Sequence, residues 1–178
     1  MIKPVQKYVD SAKTERGIIR DLCSRDPYDE YHLVRYIETL YHYSHYCLVF
    51  EQLGPSLYDI IKRNKYRGFP KRQVQSFAKQ LFEAVGFMHR CGYTHTDLKP
   101  ENVLLCSDSC FEEKVEGGTY YTPKSTKIKL IDFGGATHDR DSKSSIINTR
   151  QYRAPEVILQ CCRWDKSSDV WSLGCILV

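Results

Sequence analysis

Two separated runs of polar residues constrain this chain more than any other feature of its sequence. The first is His95-Thr96-Asp97-Leu98-Lys99-Pro100-Glu101-Asn102, and Asp132-Phe133-Gly134 follows thirty residues later. In a largely extended loop, Asp97 and Lys99 project to the same side and place a carboxylate beside an ammonium group. Asn102 and Asp132 add hard oxygen atoms of the kind that Mg²⁺ prefers. If the groups act together, the fold has to bring both runs to one site.

This combination of groups suits phosphoryl transfer. The Asp97 carboxylate can orient a substrate hydroxyl, and the Lys99 ammonium can neutralise charge on the moving phosphoryl group. Magnesium held by Asn102 and Asp132 would keep several waters and bridge nucleotide phosphates. The competing interpretation, a set of solvated loop charges, is weaker because the motifs sit in the strand and loop context that the chemistry requires.

Composition limits the classes of function that the chain can have. Its 178 residues are 42% apolar and 27% charged, which is typical of a globular protein with one core. The formal net charge of +4 is spread along the chain, so direct nucleic-acid binding is not expected. No apolar stretch approaches the roughly 20 residues that cross a bilayer, so no membrane association is expected. The eight cysteines contain no C-x-x-C pair, which favours a reducing compartment.

The order of apolar patterns predicts an α+β fold with two unequal lobes. Helical periodicity runs over 5–22, 56–63 and 70–92, and an apolar segment begins at 169. Strand patterns cover 32–43 and 46–50, with a turn at Ser44-His45 between them. Short β-rich pieces at 103–105 and 127–131 flank a polar insert.

The motifs resemble those of the eukaryotic protein kinases. The resemblance is carried by 95–102, Asp132-Phe133-Gly134, Ala154-Pro155-Glu156 and Asp169 to Gly174, in the order that the family has them. It implies a bilobal kinase fold, ATP and Mg²⁺ as cofactors and protein substrates. The roles it implies are a catalytic carboxylate at Asp97, a γ-phosphate contact from Lys99, Mg²⁺ ligands at Asn102 and Asp132, and a structural brace at Asp169.

The same resemblance implies a nucleotide site around the loop after residue 50. Phe50 would be the gatekeeper, and backbone groups of Glu51 and Leu53 would bond adenine. Asp59 would reach the ribose, and Leu104 would form the apolar floor under the ring. Glu101, within the first motif, belongs to the same expected set of nucleotide-binding residues as Lys99 and Asn102. Thr149 would pair with Lys99 to orient Asp97, which implies a serine or threonine acceptor.

Within the family, the chain resembles the CMGC group and its LAMMER, or CDC-like, kinases. The features are Thr96 in place of the usual Arg, the run Thr149-Arg150-Gln151-Tyr152-Arg153, and the insert over 106–127. The resemblance implies additional tyrosine phosphorylation, Arg/Ser-rich splicing factors as substrates, and the nucleus as the favoured compartment alongside the cytoplasm. An arginine at this position would bind a phosphorylated activation segment through two N–H donors, which a neutral threonine hydroxyl cannot do. We therefore expect activity that does not require a phosphate bound near Thr96.

The sequence predicts a partial kinase domain, with 1–53 as part of the N-lobe and hinge and 54–178 as part of the C-lobe. We expect the Gly-rich loop and the ATP-anchoring Lys upstream of Met1, so that Glu15 lacks its ion-pair partner. Glu156 would lack the Arg of a later helix, and the isolated chain would fold poorly and transfer phosphate weakly. The alternative hypothesis is a kinase-like module that binds a partner or nucleotide without turnover.

Overall fold

The described residues contain five α-helices, of which the first three in the chain begin and end close to where the sequence predicts, whereas the short helix over 155–159 was not predicted. A computed structural model describes residues 1–116, 118–142, 144–160 and 163–178. The helices are α1 (Gln6–Arg25), α2 (Leu57–Arg63), α3 (Lys71–Arg90), α4 (Pro155–Leu159) and α5 (Ser167–Leu177). None of those in the described residues has the length and hydropathy that a membrane crossing needs.

Local chemistry fixes the ends of the two helices that flank the central loops. Ser56 and Asp59 form a capping box at the start of α2, each side chain accepting the other's backbone N–H. Pro70 precedes α3, where a missing N–H costs nothing. Beyond α3, Gly92 adopts φ +86°, a left-handed conformation that a Cβ would strain.

An antiparallel hairpin of β1 (Tyr36–His42) and β2 (His45–Phe50) follows α1. Its turn is Tyr43-Ser44, both at positive φ, so the predicted turn at Ser44-His45 is wrong by one residue. The predicted strand also begins too early. Residues 32–35 leave the hairpin because Leu33 bridges to Leu130 instead, in a different sheet.

Within the described ranges, the remaining strands form three further two-stranded ladders. β3 (Tyr93–Thr94) pairs with β8 (Thr137–His138), and β4 (Val103–Leu105) pairs with β7 (Ile128–Leu130). Between β4 and β7, the segment expected to be only a polar insert forms a hairpin of β5 (Cys110–Val115) and β6 (Gly118–Pro123). Asn64 anchors this hairpin on the end of α2 by bonding both the N–H and the carbonyl of Tyr121.

One apolar cluster joins most of these elements. It runs from Ile18, Ile19 and Leu22 of α1 through Leu81 and Met88 of α3 to the strand pair β4–β7. Gln80 is buried in α3 yet satisfied, because it bonds Thr126 and Ile128 at the start of β7. The helices therefore hold β4 and β7 in place, and the first chemical motif leads into β4 while the second follows β7.

Candidate active site

The loop before β4 is braced from below by a carboxylate of α5. Asp169 is fully buried, and its two oxygens accept the backbone N–H groups of His95 at 2.8 Å and Thr96 at 3.0 Å. Nε2 of His89 in α3 lies 2.9 Å from the same carboxylate. Two helices therefore fix the start of the first motif, which is the bracing that the resemblance implies for Asp169.

His95 links the first motif to the second. Its ring is fully buried, and its Nε2 lies 3.1 Å from the carbonyl of Ile131, directly before Asp132. Its Nδ1 accepts the N–H of Asp97 at 3.3 Å, which assigns the proton to Nε2. The imidazole also packs on Phe133, with ring centroids 5.5 Å apart. One side chain thus spans both motifs.

Asp97 is held between a cation and a hydroxyl. Its Oδ2 accepts Lys99 Nζ at 2.6 Å, while its Oδ1 accepts the Thr149 hydroxyl at 2.6 Å and the Thr149 N–H at 3.1 Å. Lys99 Nζ donates in turn to the Thr149 hydroxyl at 3.1 Å. Burial alone would raise the pKa of Asp97, but the hydrogen bonds from Lys99 and Thr149 outweigh burial and lower it. Asp97 is therefore ionised at neutral pH.

Asn102 and Asp132 fit the requirements of a magnesium site. Asn102 is buried and its Nδ2 donates to the carbonyl of Asp97 at 2.9 Å, so its amide oxygen remains available as a ligand. The backbones of Asn102 and Ile131 are bonded at 3.0 Å, which brings Asp132 alongside. Asp97, Asp132 and Thr149 line a cavity of about 480 Å³. Two protein oxygens and room for water suit Mg²⁺, which retains several waters.

Glu15 on α1 lies close to this site without a cation partner among the described residues. Burial raises the pKa of its carboxyl, and the charge on Asp132 raises it further. A half-buried acid beside a second acid indicates a local deficit of positive charge. This deficit is consistent with a site for cations around Asp132.

The expected nucleotide residues lie after β2, in α2, in β4 and in the loop that precedes β4. Glu51 and Leu53 follow β2, and neither the carbonyl of Glu51 nor the backbone of Leu53 has an intramolecular hydrogen bond in the described part of the chain. Leu104 is half-buried in β4. The Asp59 carboxylate accepts Ser56 N–H at 2.9 Å and Ser56 Oγ at 2.6 Å, so one of its oxygens already caps α2. Glu101 Oε2 is buried without a partner among the described residues. Their contacts with nucleotide stay predictions.

The family comparison agrees with this geometry, since the protein kinase domain model matches residues 1–178. The chain belongs to the protein kinase family. Its structure is also similar to the crystal structure of a kinase domain, with a TM-score of 0.89 and 45% identity, over 98% of this chain and 53% of that one. The predicted kinase fold is therefore confirmed.

Curated relatives of this kinase chain include LAMMER-type enzymes. The Drosophila melanogaster serine/threonine-protein kinase Doa is 42% identical over 99% of the chain. The human dual specificity protein kinase CLK4 and Arabidopsis thaliana serine/threonine-protein kinase AFC1 are each 40% identical over 100% of it. The chain spans only 21% of Doa, 37% of CLK4 and 40% of AFC1. The predicted similarity to CDC-like kinases is confirmed.

Sequence reasoning on this kinase missed two residues that organise the site. Asn148 sits at φ 61° and donates through both its backbone N–H and its Nδ2 to the carbonyl of Thr96. Lys129 is buried in β7 and pairs with carboxylates far from it in sequence. Asn directly before Thr149 was a weak signal, since Asn tolerates positive φ. A lysine between apolar strand residues was a second signal.

Proposed function

We propose that this kinase transfers the γ-phosphoryl group of ATP to serine and threonine hydroxyls of proteins, and to tyrosine as well, as a LAMMER-type enzyme. The observation that carries the proposal is the Asp97 carboxylate fixed between Lys99 and Thr149. An ionised acid that is bonded to an ammonium group and shares a cavity with Asp132 suits a hydroxyl nucleophile and a phosphate.

The chain's own residues supply orientation and charge. Ionised Asp97 accepts the hydrogen bond of the substrate hydroxyl and aims its oxygen at the γ-phosphorus. As the new P–O bond forms and the bond to ADP breaks, the hydroxyl proton passes to Asp97. Lys99 lies next to Asp97 and stabilises charge on the transferring group. Magnesium bound by Asn102 and Asp132 would neutralise charge on the nucleotide phosphates.

Arg/Ser-rich splicing factors are the proposed substrates, and the nucleus, alongside the cytoplasm, is the proposed compartment. The support is the similarity to the dual specificity kinases.

The alternative is a kinase-like module that binds without turnover. The observation that favours it is Glu15, whose carboxylate has no cation partner in the described ranges and whose pKa is raised by burial and by Asp132. In such a module, nucleotide would bind in the same cavity but no phosphate would move.

Replacing Asp97 by Asn separates the two functions in the complete protein. D97N keeps the shape of the side chain but cannot accept a proton as a carboxylate does, so labelling of an Arg/Ser peptide by [γ-³²P]ATP should fall by about 10² to 10⁴-fold. Nucleotide binding, measured by calorimetry with Mg·ADP, should persist. Asp10→Asn, on the exposed face of α1, is the matched control. Retained labelling in D97N would contradict the role of Asp97, and an unaltered protein that binds Mg·ADP without labelling would favour the module.

A further inference from the structure

Lys129 is the buried cation of an ion-pair network behind the predicted nucleotide site. Its side chain is only 9% exposed, and its Nζ lies 2.6 Å from Asp29 Oδ2 and 2.5 Å from Glu51 Oε1. Burial would lower the pKa of Lys129, but the bonds to Asp29 and Glu51 outweigh burial and raise it. The lysine is therefore charged at neutral pH. It lies in β7 directly opposite Leu104, the predicted floor of the adenine site.

The backbone beside Glu51 departs from a regular antiparallel ladder, because one expected backbone hydrogen bond is replaced by a bond to a side chain. Tyr36 pairs with Phe50, so Arg35 and Glu51 are the next residues in register. In an antiparallel ladder, every second pair of facing residues exchanges two backbone hydrogen bonds. Glu51 N–H does donate to the Arg35 carbonyl at 3.0 Å. The reciprocal bond is missing, because Arg35 N–H donates at 2.7 Å to Glu51 Oε1 in the side chain.

The side chain of Glu51 thus replaces its own carbonyl as the acceptor for Arg35. One oxygen, Oε1, receives both Arg35 N–H and Lys129 Nζ. Lys129 holds that oxygen in place, and the displaced Glu51 carbonyl has no hydrogen bond within the described residues. An unused carbonyl at the rim of a binding site is available to a ligand donor.

We propose that Lys129 is a positioning residue which, through the Glu51 carboxylate, keeps the Glu51 carbonyl free to accept the 6-amino group of adenine. Lys129 and the Glu51 side chain would then determine base specificity without touching the base. This inference rests on the proposed nucleotide-dependent function and names the device that selects adenine. Without the carboxylate, Arg35 N–H would close the ladder onto the carbonyl and withdraw it from the ligand.

The test compares ADP with inosine diphosphate, both with Mg²⁺, by calorimetry on the complete protein. Inosine has a carbonyl oxygen where adenine has the amino donor, so it cannot donate to Glu51. Glu51→Ala removes the side-chain acceptor, while Glu51→Gln retains an oxygen for Arg35 N–H. Lys129→Met removes the cation that holds the oxygen. Lys127→Met, an exposed lysine two residues before Lys129, is the matched control.

We expect the preference for ADP over the inosine nucleotide to shrink by about three- to tenfold in E51A, the size of one hydrogen bond. The preference of K129M for ADP should shrink as well. The preference of E51Q should lie closer to that of the unaltered protein than the preference of E51A does, and K127M should keep the original preference. A general loss of folding would weaken both nucleotides equally and leave their ratio constant. An unchanged ratio in folded E51A would overturn the inference, whereas failure of the unaltered protein to bind either nucleotide would overturn the proposed function as well.

Discussion

Asp97 accepts three hydrogen bonds on two oxygens, and the balance among them decides its chemistry at the scale of the single residue. Burial favours the protonated acid, but Lys99 and Thr149 favour the carboxylate and prevail. The Thr149 hydroxyl makes two hydrogen bonds, because it donates to Asp97 and accepts from Lys99. Its removal would disturb both the charge and the direction of the acid.

Replacing Thr149 by Val should therefore change the pH dependence of catalysis. Asp97 acts as a carboxylate, so kcat/KM falls as pH drops through its pKa. Loss of a bond that lowers this pKa moves the acid limb of the profile to higher pH, and kcat/KM on the plateau should fall by about tenfold. Labelling of an Arg/Ser peptide in steady state, from neutral pH down through the ordinary pKa range of an aspartate, measures both in the folded protein. T149S retains the hydroxyl, so the acid limb of its profile should stay at the original pH. An acid limb of T149V at the original pH would contradict the proposed role of the Thr149 hydroxyl.

Sequence patterns predicted the residues of the chemical motifs, and they failed for residues whose role depends on distant partners. Asp97, Lys99, Asn102 and Asp132 belong to short motifs in which residue type and spacing state the chemistry. Lys129 has no such motif, because its carboxylate partners Asp29 and Glu51 lie 100 and 78 residues away in the chain. Only the packed structure brings them together.

At the scale of elements, hydrogen bonds tie the segment after Asp132 to the first motif. Thr96 is buried at φ 68°, a costly conformation for a β-branched residue. Its hydroxyl donates to the Gly135 carbonyl at 2.7 Å, and its carbonyl accepts from Asn148. A Cβ at Gly135 would lie 2.9 Å from that hydroxyl, so a side chain there would displace the hydroxyl. Arg153 bonds the carbonyls of Ile147 and Asn148, which completes the connection.

Thr96 cannot bind a phosphate through two N–H donors as an arginine does, which leads to a prediction about regulation. The complete protein should remain active after phosphatase treatment, and the double variant S144A/S145A should label an Arg/Ser peptide at a rate close to that of the unaltered protein. Mass spectrometry of the treated protein checks that phosphate is absent. Loss of activity on dephosphorylation, with recovery in a Ser144→Glu or Ser145→Glu variant, would show that a phosphate is needed.

Elements with a strong helical period were predicted well, as were the short apolar strands β4 and β7, whereas β3, β5, β6 and β8 were not predicted. The helices α1 and α3 have apolar stripes that local spacing reveals. The hairpin of β5 and β6 lacks a comparable signal because it rests on Asn64 and on Arg63, whose guanidinium stacks 3.4 Å above the ring of Tyr121. Tertiary contacts of this kind make strands from polar sequence.

At the scale of the whole molecule, Asp169 connects α5, α3 and the first motif. It is fully buried and accepts two backbone N–H groups, while His89 approaches from α3. One carboxylate thus couples global stability to the geometry of Asp97. The division at residue 53 and the weak folding of the isolated chain stay predictions.

Replacing Asp169 by Asn should lower both stability and activity of the complete protein. The asparagine amide has one oxygen that can accept, and its NH₂ group would face one of the two backbone N–H groups that Asp169 now binds. We therefore expect a loss of about 3 kcal/mol or more in the free energy of unfolding. Urea denaturation measures this loss, and peptide labelling measures activity under conditions where the variant is folded. D10N on the surface of α1 should change neither, and a D169N protein of unaltered stability would refute the bracing role.

The hairpin of β5 and β6 leaves the molecule between β4 and β7 and returns to it, docked on α2 by Asn64. Its two ends are already closed by the pairing of Val103 with Leu130, so the closure entropy of the excursion grows only slowly with its length. Evolution can therefore lengthen or shorten this hairpin, or add binding residues to it, while the distance between Asn102 and Asp132 stays as it is.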